Sequence, residues 1–123
     1  MNASIQRINL DLLSQDSMEY VHVRQGDTAK AVSARITESG TPYELADDTA
    51  AVFAARMPDG TYTYAECEIT DNRILVTLPA EITAAAGLIT ACLRITGAGE
   101  AALTTPPFSI CVEAPAAPEE EGA

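Results

Sequence analysis

The sequence has no long hydrophobic run and no recognisable leader. No stretch of about 18 consecutive apolar residues occurs, which excludes a membrane-spanning helix of ordinary length. The first residues, MNASIQRINLDLLSQD, have neither the basic start nor the unbroken apolar core of a secretion signal. We therefore expect a protein that is made in the cytoplasm and does not span a membrane.

Basic residues are scarce. The chain carries 7 lysines and arginines against 18 acidic residues, so its formal net charge is −11. No cluster of basic residues interrupts this acidic character along the sequence, and an acidic surface repels phosphate backbones. The composition predicts that the protein does not bind nucleic acid.

Signatures of catalysis are also missing. No GxSxG, HExxH, phosphate-binding loop or GxGxxG motif occurs, and the only histidine, His22, has no neighbour in sequence that marks it as a base. Glu66 and Glu68 are a carboxylate pair two residues apart, a spacing more typical of the solvated side of a hairpin than of a glycosidase. We predict no catalytic residue, no cofactor and no metal site.

Cysteines are few and odd in number. Cys67, Cys92 and Cys111 show no CxxC or Cys/His spacing, so neither a disulfide framework nor a zinc site is indicated. We expect free thiols that pack as small hydrophobic side chains. A disulfide between Cys92 and Cys111 is an open alternative if the two face each other on neighbouring strands.

A two-residue alternation of apolar and polar side chains runs through the chain, which is typical of half-buried β-strands. The side chains predicted to face the core are Ile8, Leu10, Leu12, Val21, Val23, Val32, Ala34, Ile36, Phe53, Ala55, Met57, Ile74, Val76, Leu78, Ile89, Ala91, Leu93, Ile95, Phe108, Ile110 and Val112. About eight such strands indicate an all-β protein, an antiparallel β-sandwich of the immunoglobulin-like or jelly-roll-like kind.

Turn residues separate the predicted strands. Gln25-Gly26-Asp27 and Pro58-Asp59-Gly60 combine glycine with aspartate or proline, and Asp71-Asn72 suits a tight hairpin. For Gln25-Gly26-Asp27, the main interpretation is a bend between strands, and the alternative is a contact in docking. Pro79 and an alanine run predict a short helical turn near residues 79–86, with Gly87 as its left-handed C-cap.

The chain divides into one domain and a tail. Residues 1–113 are predicted to form the sandwich, and the Pro/Ala/Glu-rich residues 114–123 to form a flexible end or linker.

One outward stripe is the candidate contact surface. If Ala65 and Cys67 face inward, then Tyr62, Tyr64, Glu66 and Glu68 face outward together. Such a stripe could bind a saccharide or a partner protein, or be an ordinary solvated face.

The order and spacing of the turn motifs resemble a known family. The matching marks are Gln25-Gly26-Asp27, Gly40-Thr41-Pro42-Tyr43-Glu44-Leu45, Pro58-Asp59-Gly60, the turn from Ile69 to Asp71, Leu78-Pro79 with Gly87 beyond it, and Thr104-Thr105 followed by Phe108-Ser109-Ile110. Over residues 20–112 the sequence resembles the N-terminal domain of the baseplate upper protein family of tailed phages and prophages of Gram-positive bacteria.

The resemblance implies a non-enzymatic structural protein of the virion tail. In that family the domain is a β-sandwich that attaches a peripheral component of the tail tip, such as a receptor-binding protein, to the hub. It implies other tail proteins as partners and several copies around a symmetric tail. The family's longer C-terminal part is not seen before Ala123, so we expect either a reduced, stand-alone version or a partner that is a separate chain. A carbohydrate-binding sandwich that recognises host glycans through Tyr62 and Tyr64 is the alternative.

Overall fold

The computed structural model describes residues 4–13, 18–28, 30–45, 48–97 and 102–114. Within them, the strands are β1 (Ser4–Asp11), β2 (Tyr20–Arg24), β3 (Lys30–Glu38), β4 (Thr41–Pro42), β5 (Ala50–Arg56), β6 (Tyr62–Glu66), β7 (Glu68–Thr70), β8 (Arg73–Thr77), β9 (Gly87–Thr96), β10 (Leu103–Thr104) and β11 (Phe108–Glu113). The helix α1 (Ala80–Thr83) joins β8 to β9. No helix in these ranges is long and apolar enough to cross a membrane.

Part of the predicted organisation falls outside these ranges. Residues 115–123, which make up nearly all of the predicted flexible tail, are not among the described residues. The predicted boundary at residue 113 therefore stays a prediction.

Two sheets pack face to face. The first has the order β1-β3-β8-β7, with β4 beside β3, and the second has the order β2-β11-β9-β5-β6, with β10 beside β9. The predicted β-sandwich is confirmed, including its single short helix.

Both sheets are mixed rather than purely antiparallel. β1 runs parallel to β3, and β2 runs parallel to β11, whereas every other strand pair of the described residues is antiparallel. Alternation tells which side of a strand is buried but carries no information on the direction of its neighbour. The parallel β1–β3 pair is possible because β2, which lies between them in the chain, belongs to the other sheet and serves as the crossover that such a pair requires.

The core lies between the sheets and consists of the alternate side chains that the sequence predicts to face inward. Phe53 and Phe108 are fully buried in it, with ring centroids 6.3 Å apart. Leu12 and Met57, at strand ends, are only partly buried against it. Ile82 of α1 is also fully buried, so the helix closes one part of the core.

Two hairpin turns hold the strands in register. Asp71 and Asn72 both have positive φ, 53° and 60°, as a two-residue turn between twisted strands needs, and they join β7 to β8. The turn between β5 and β6 is closed by a 2.9 Å hydrogen bond from the Gly60 amide to the Met57 carbonyl. There the Asp59 carboxylate accepts hydrogen bonds from the amide and hydroxyl of Thr61, at 3.0 and 2.6 Å.

Gly87 has a different role from the predicted one. The helix ends at Thr83 with Ala84 as its C-cap in a right-handed conformation, so Gly87 is not the helix cap. Instead it starts β9 with φ +145°, and a Cβ placed on it would lie 2.9 Å from Cγ of Pro58. Its lack of a side chain lets the β5–β6 turn approach β9 closely.

Candidate functional site

Two tyrosines lie on the outer side of the edge strand β6. Tyr62 and Tyr64 are 59% and 65% exposed, and their rings stack with centroids 6.4 Å apart and planes inclined by 19°. Within the described residues β6 pairs only with β5, on one side, so its other edge is open. Alternation along the strand places both rings on the side away from the core.

Strand pairing extends this surface across the whole second sheet. Register places Tyr62 opposite Arg56, Arg56 opposite Thr90, Thr90 opposite Ser109, and Ser109 opposite Tyr20. Four steps of about 4.8 Å make this row about 19 Å wide. Leu88, two residues before Thr90, is 57% exposed and Tyr20 is 54% exposed. We call Tyr20, Tyr62, Tyr64 and Leu88 the outer tyrosine face.

The sequence predicts only two members of this face, Tyr62 and Tyr64. The sequence does not predict that Tyr20 joins this face, because nothing local shows that β2 and β6 belong to the same sheet. Leu88 is an outward residue in an apolar run, where alternation alone is weak. Ser109 also points outward, yet it is only 4% exposed because its hydroxyl contacts Sδ of Met18 at 3.3 Å.

The two carboxylates of the predicted stripe belong to different sheets. Glu66 pairs with Val52 in the second sheet, and Glu68 pairs with Leu75 in the first. The chain changes sheets at Cys67, whose amide donates to the Ala51 carbonyl at 3.0 Å. The alternation of exposed and partly buried residues is as predicted, but the stripe is divided at that point and Glu66 and Glu68 are not neighbours on one strand.

The turn at Gln25, Gly26 and Asp27 uses its polar groups internally. Gly26 has φ +87°, and the Asp27 carboxylate accepts a 2.9 Å hydrogen bond from the Arg24 amide. The turn also binds the end of α1: the Gly26 amide donates to the Thr83 carbonyl at 2.8 Å, and the Thr83 hydroxyl donates to the Asp27 carbonyl at 2.8 Å. The Gln25 side chain donates to the Ala84 carbonyl at 3.2 Å. Such a turn joins β2 and β3 to the helix.

His22 has neighbours that the sequence did not show. The parallel pairing of β2 with β11 places it opposite Cys111, and Glu113 follows two residues later on the same side. The ligating atoms of these three side chains lie within 4.8 Å of one another, and Nδ1 of His22 is 4.0 Å from the Glu113 carboxylate. No neighbour in sequence marks His22, and these neighbours across strands become visible only with the register.

This cluster has the donor types of a zinc site, namely imidazole, thiolate and carboxylate. It is open to solvent, since the side chains of His22 and Glu113 are 61% and 53% exposed. Arg24 lies opposite Glu113, and both Arg24 and Lys30 line the hollow beside it. These two positive charges work against a bound cation at this place.

His22 is also part of the sandwich edge. The Gln6 side chain of β1 accepts a 3.0 Å hydrogen bond from the His22 amide and donates another to the His22 carbonyl. These bonds cover the free edge of β2 at this residue, which limits pairing with other chains there.

The three cysteines are free thiols. Cys111 pairs with Leu88, whereas Cys92 lies four residues further along β9 and pairs with Ala54. At a rise of about 3.3 Å per residue the two are separated by about 13 Å along the sheet, beyond the reach of a disulfide. Burial raises the pKa of the Cys67 thiol to about 11 and also raises the pKa of Cys92.

Three arginines meet on the outer face of the first sheet. Arg7, Arg35 and Arg73, from β1, β3 and β8, line one shallow hollow of about 330 Å³. The sequence shows no basic cluster along the chain, yet strand pairing brings these three arginines together on the surface. Residues 28 and 38 positions apart in the sequence become neighbours through strand pairing.

Comparison with known proteins agrees with this architecture. A family model described as the BppU N-terminal domain matches residues 4–119. Among solved structures, the N-terminal domain of phage TP901-1 ORF48 is similar, with a TM-score of 0.68 and 14% sequence identity, over 89% of this chain and 98% of that one. At this identity the likeness shows the fold alone. No curated protein matches the chain.

Proposed function

The chain belongs to the BppU N-terminal domain family, the N-terminal domain of baseplate upper proteins, and on this premise we propose that it docks a peripheral component to the phage tail hub. The family confirms the resemblance drawn from the turn motifs and makes the chain a structural part of the virion tail baseplate. The finer proposal concerns the docked component, for example a receptor-binding protein, and the surface that makes the contact.

The outer tyrosine face carries this proposal. Exposed aromatic side chains are enriched at protein interfaces, because they bury a large area and lose little conformational entropy. Three tyrosines and Leu88 lie on one side of a single sheet, and Tyr62 and Tyr64 are among the most exposed large hydrophobic side chains of the described residues. Tyr62 and Tyr64 adjoin each other, whereas Arg56, Thr90 and Ser109 separate them from Tyr20. The adjoining pair is therefore the part of this face that marks an interaction site.

The open edge of β6 is a second means of contact at the same place. Strand edges present unpaired amides and carbonyls, and a partner strand can extend the sheet by binding them. Glu66 lies on this strand and flanks the contact, whereas Glu68 follows after the change of sheet at Cys67 and belongs to the first sheet. We propose that several copies assemble around the tail and that this edge takes part.

Co-expression with the neighbouring tail proteins tests the proposal. We expect the wild-type chain to co-purify with a tail-hub protein, and Tyr62→Ala with Tyr64→Ala to weaken the complex at least about tenfold, as hot-spot aromatics do. The matched control is Ile5→Ala with Leu13→Ala, which removes two exposed apolar side chains, 50% and 63% exposed, outside this face. Equal binding by wild type and the tyrosine variant would contradict the proposed surface.

The stacked pair Tyr62 and Tyr64 specifically favours one alternative, the binding of host glycans. Two neighbouring exposed rings with planes inclined by only 19° offer aromatic surface of the kind that apolar sugar faces contact. A glycan array with wild type and the Tyr62→Ala, Tyr64→Ala variant distinguishes the two. Sugar binding that is lost in the variant would support the alternative, whereas an empty array together with intact docking would support a protein contact.

We further propose that the chain is not an enzyme. The support is that its single histidine lies on an exposed edge strand, with Gln6 holding its backbone and two positive side chains close to it. Hydrolysis of chromogenic ester, peptide and glycoside substrates, lost on His22→Ala, would contradict this.

A further inference from the structure

The three arginines on the first sheet are brought together by strand register. Arg7 lies opposite Ser33 in the parallel β1–β3 pair. Ala34 lies opposite Ile74 in the antiparallel β3–β8 pair, which places Arg35 beside Arg73. Side chains two residues apart on β3 point to the same side, so all three arginines are on the sheet surface that faces away from the core.

One guanidinium group is held in place. Nε of Arg73 donates to the Ser33 hydroxyl at 2.7 Å, and Nη2 donates to the Ser33 carbonyl at 3.0 Å. The Arg73 side chain therefore crosses from β8 to β3 and ends next to the strand position that Arg7 faces. Burial, followed by the positive charges of Arg35 and Arg7, lowers the pKa of Arg73, although a guanidinium stays protonated at neutral pH.

Little negative charge lines the hollow at this group, and on the same sheet surface the acidic residue Glu68 lies opposite Leu75 of β8. Among the described residues neither of the two ion pairs involves these arginines. Glu19 is the one acidic residue that lines the same hollow. Three of the seven basic residues of a chain with 18 acidic ones thus gather in one place, where they repel one another.

From this juxtaposition we propose that Arg7, Arg35 and Arg73 form a second docking site, which binds a carboxylate-rich segment of a partner protein. Guanidinium groups bind carboxylates in paired hydrogen bonds, and Arg73 is already oriented by its two bonds to Ser33. The site lies on the opposite side of the sandwich from the outer tyrosine face, so one copy can contact two neighbours.

A short acidic peptide fits this surface better than a nucleic acid does. The patch is only three strands wide, so it can contact a few carboxylates. A nucleic acid continues beyond such a patch and would meet the acidic remainder of the chain, with its net charge of −11.

Fluorescence anisotropy with a labelled hexaglutamate peptide tests the site on the full chain. We expect binding at about 20 mM NaCl that weakens strongly at about 150 mM, because exposed charges are screened over shorter distances at higher salt. Arg7→Gln with Arg35→Gln should lower the affinity at least about tenfold, as the loss of two charge-assisted contacts predicts.

The matched control is Arg24→Gln with Arg94→Gln. It changes the net charge by the same amount, but these exposed arginines lie on the second sheet, and we expect hexaglutamate binding to be kept. Circular dichroism melting curves check that both variants fold. No binding by wild type, equal losses in the two variants, or tighter binding of a single-stranded oligonucleotide than of hexaglutamate would overturn the proposal. Because the test uses the isolated chain, its failure is separate from a failure of docking through the outer tyrosine face.

Discussion

Substituting Gly87 with alanine tests the close approach between β9 and the β5–β6 turn. At φ +145° an L side chain is strained, which costs about 1–3 kcal/mol. The added Cβ would also lie 2.9 Å from Cγ of Pro58, and overpacking of this kind costs about 1–3 kcal/mol. Pro58 is exposed and can yield a little, so we expect a loss of about 2–4 kcal/mol in the free energy of unfolding.

Two comparisons separate the backbone effect from the contact. Gly26 has φ +87°, but a Cβ there would meet no atom within 4 Å, so Gly26→Ala should cost only about 1–2 kcal/mol. In a Pro58→Ala background Cγ is absent, and Gly87→Ala should then cost only its backbone part. The difference between the two backgrounds is the coupling energy of the contact.

Urea unfolding followed by circular dichroism measures all four variants. A Gly87→Asn variant adds a further check, since asparagine tolerates a helix-cap conformation near φ +57° but not +145°. The reasoning would be refuted if Gly87→Ala cost no more than Gly26→Ala and were unaffected by Pro58→Ala. A nearly wild-type Gly87→Asn would equally refute it and favour a helix cap.

Three further predictions concern single residues. Four hydrogen bonds, from the Gly40 amide above all and from the Leu13 amide, the Thr37 hydroxyl and the Ser39 amide, lower the pKa of Asp11 from 3.8 to about 2. Between pH 4 and pH 2 the Asp11 carboxylate takes up a proton in the unfolded state but not in the folded state. The extra stability of the wild type over Asp11→Asn, measured by urea unfolding, should therefore be complete above about pH 4 and shrink towards pH 2. A difference that stays constant with pH would contradict this. Burial raises the pKa of the Cys67 thiol from 9.0 to about 11. At pH 8 this thiol should therefore react with iodoacetamide about a hundredfold more slowly in the folded chain than in the unfolded chain, as measured by mass spectrometry. Equal rates would contradict its burial. Phe53→Ala should cost about 3–5 kcal/mol in urea unfolding because Phe53 is fully buried against Phe108, whereas the exposed Tyr64→Ala should change stability by no more than about 0.5 kcal/mol.

The buried faces were predictable from the sequence because the information is local. A residue such as Phe53 or Ile110 faces inward as a consequence of a two-residue period and a sheet with one dry side. The turn at Asp71 and Asn72 was predictable for a similar reason, since these residue types tolerate positive φ.

Features that depend on pairing between distant strands were not predictable from the sequence. The parallel pairs, the meeting of His22 with Cys111, and the cluster of Arg7 and its partners each follow from a register that alternation does not encode. The role of Gly87 was misjudged because a glycine after an alanine run suits both a helix cap and a close contact. The division at Cys67 was missed because a strand that changes sheets keeps its alternation unbroken.

Electron cryomicroscopy of the complete tail that carries this chain tests the central claim most directly. We expect the sandwich in the baseplate, with the rings of Tyr62 and Tyr64 buried against a neighbouring tail protein. A baseplate in which the sandwich is present, both rings face solvent, and every contact is made by other surfaces would contradict it.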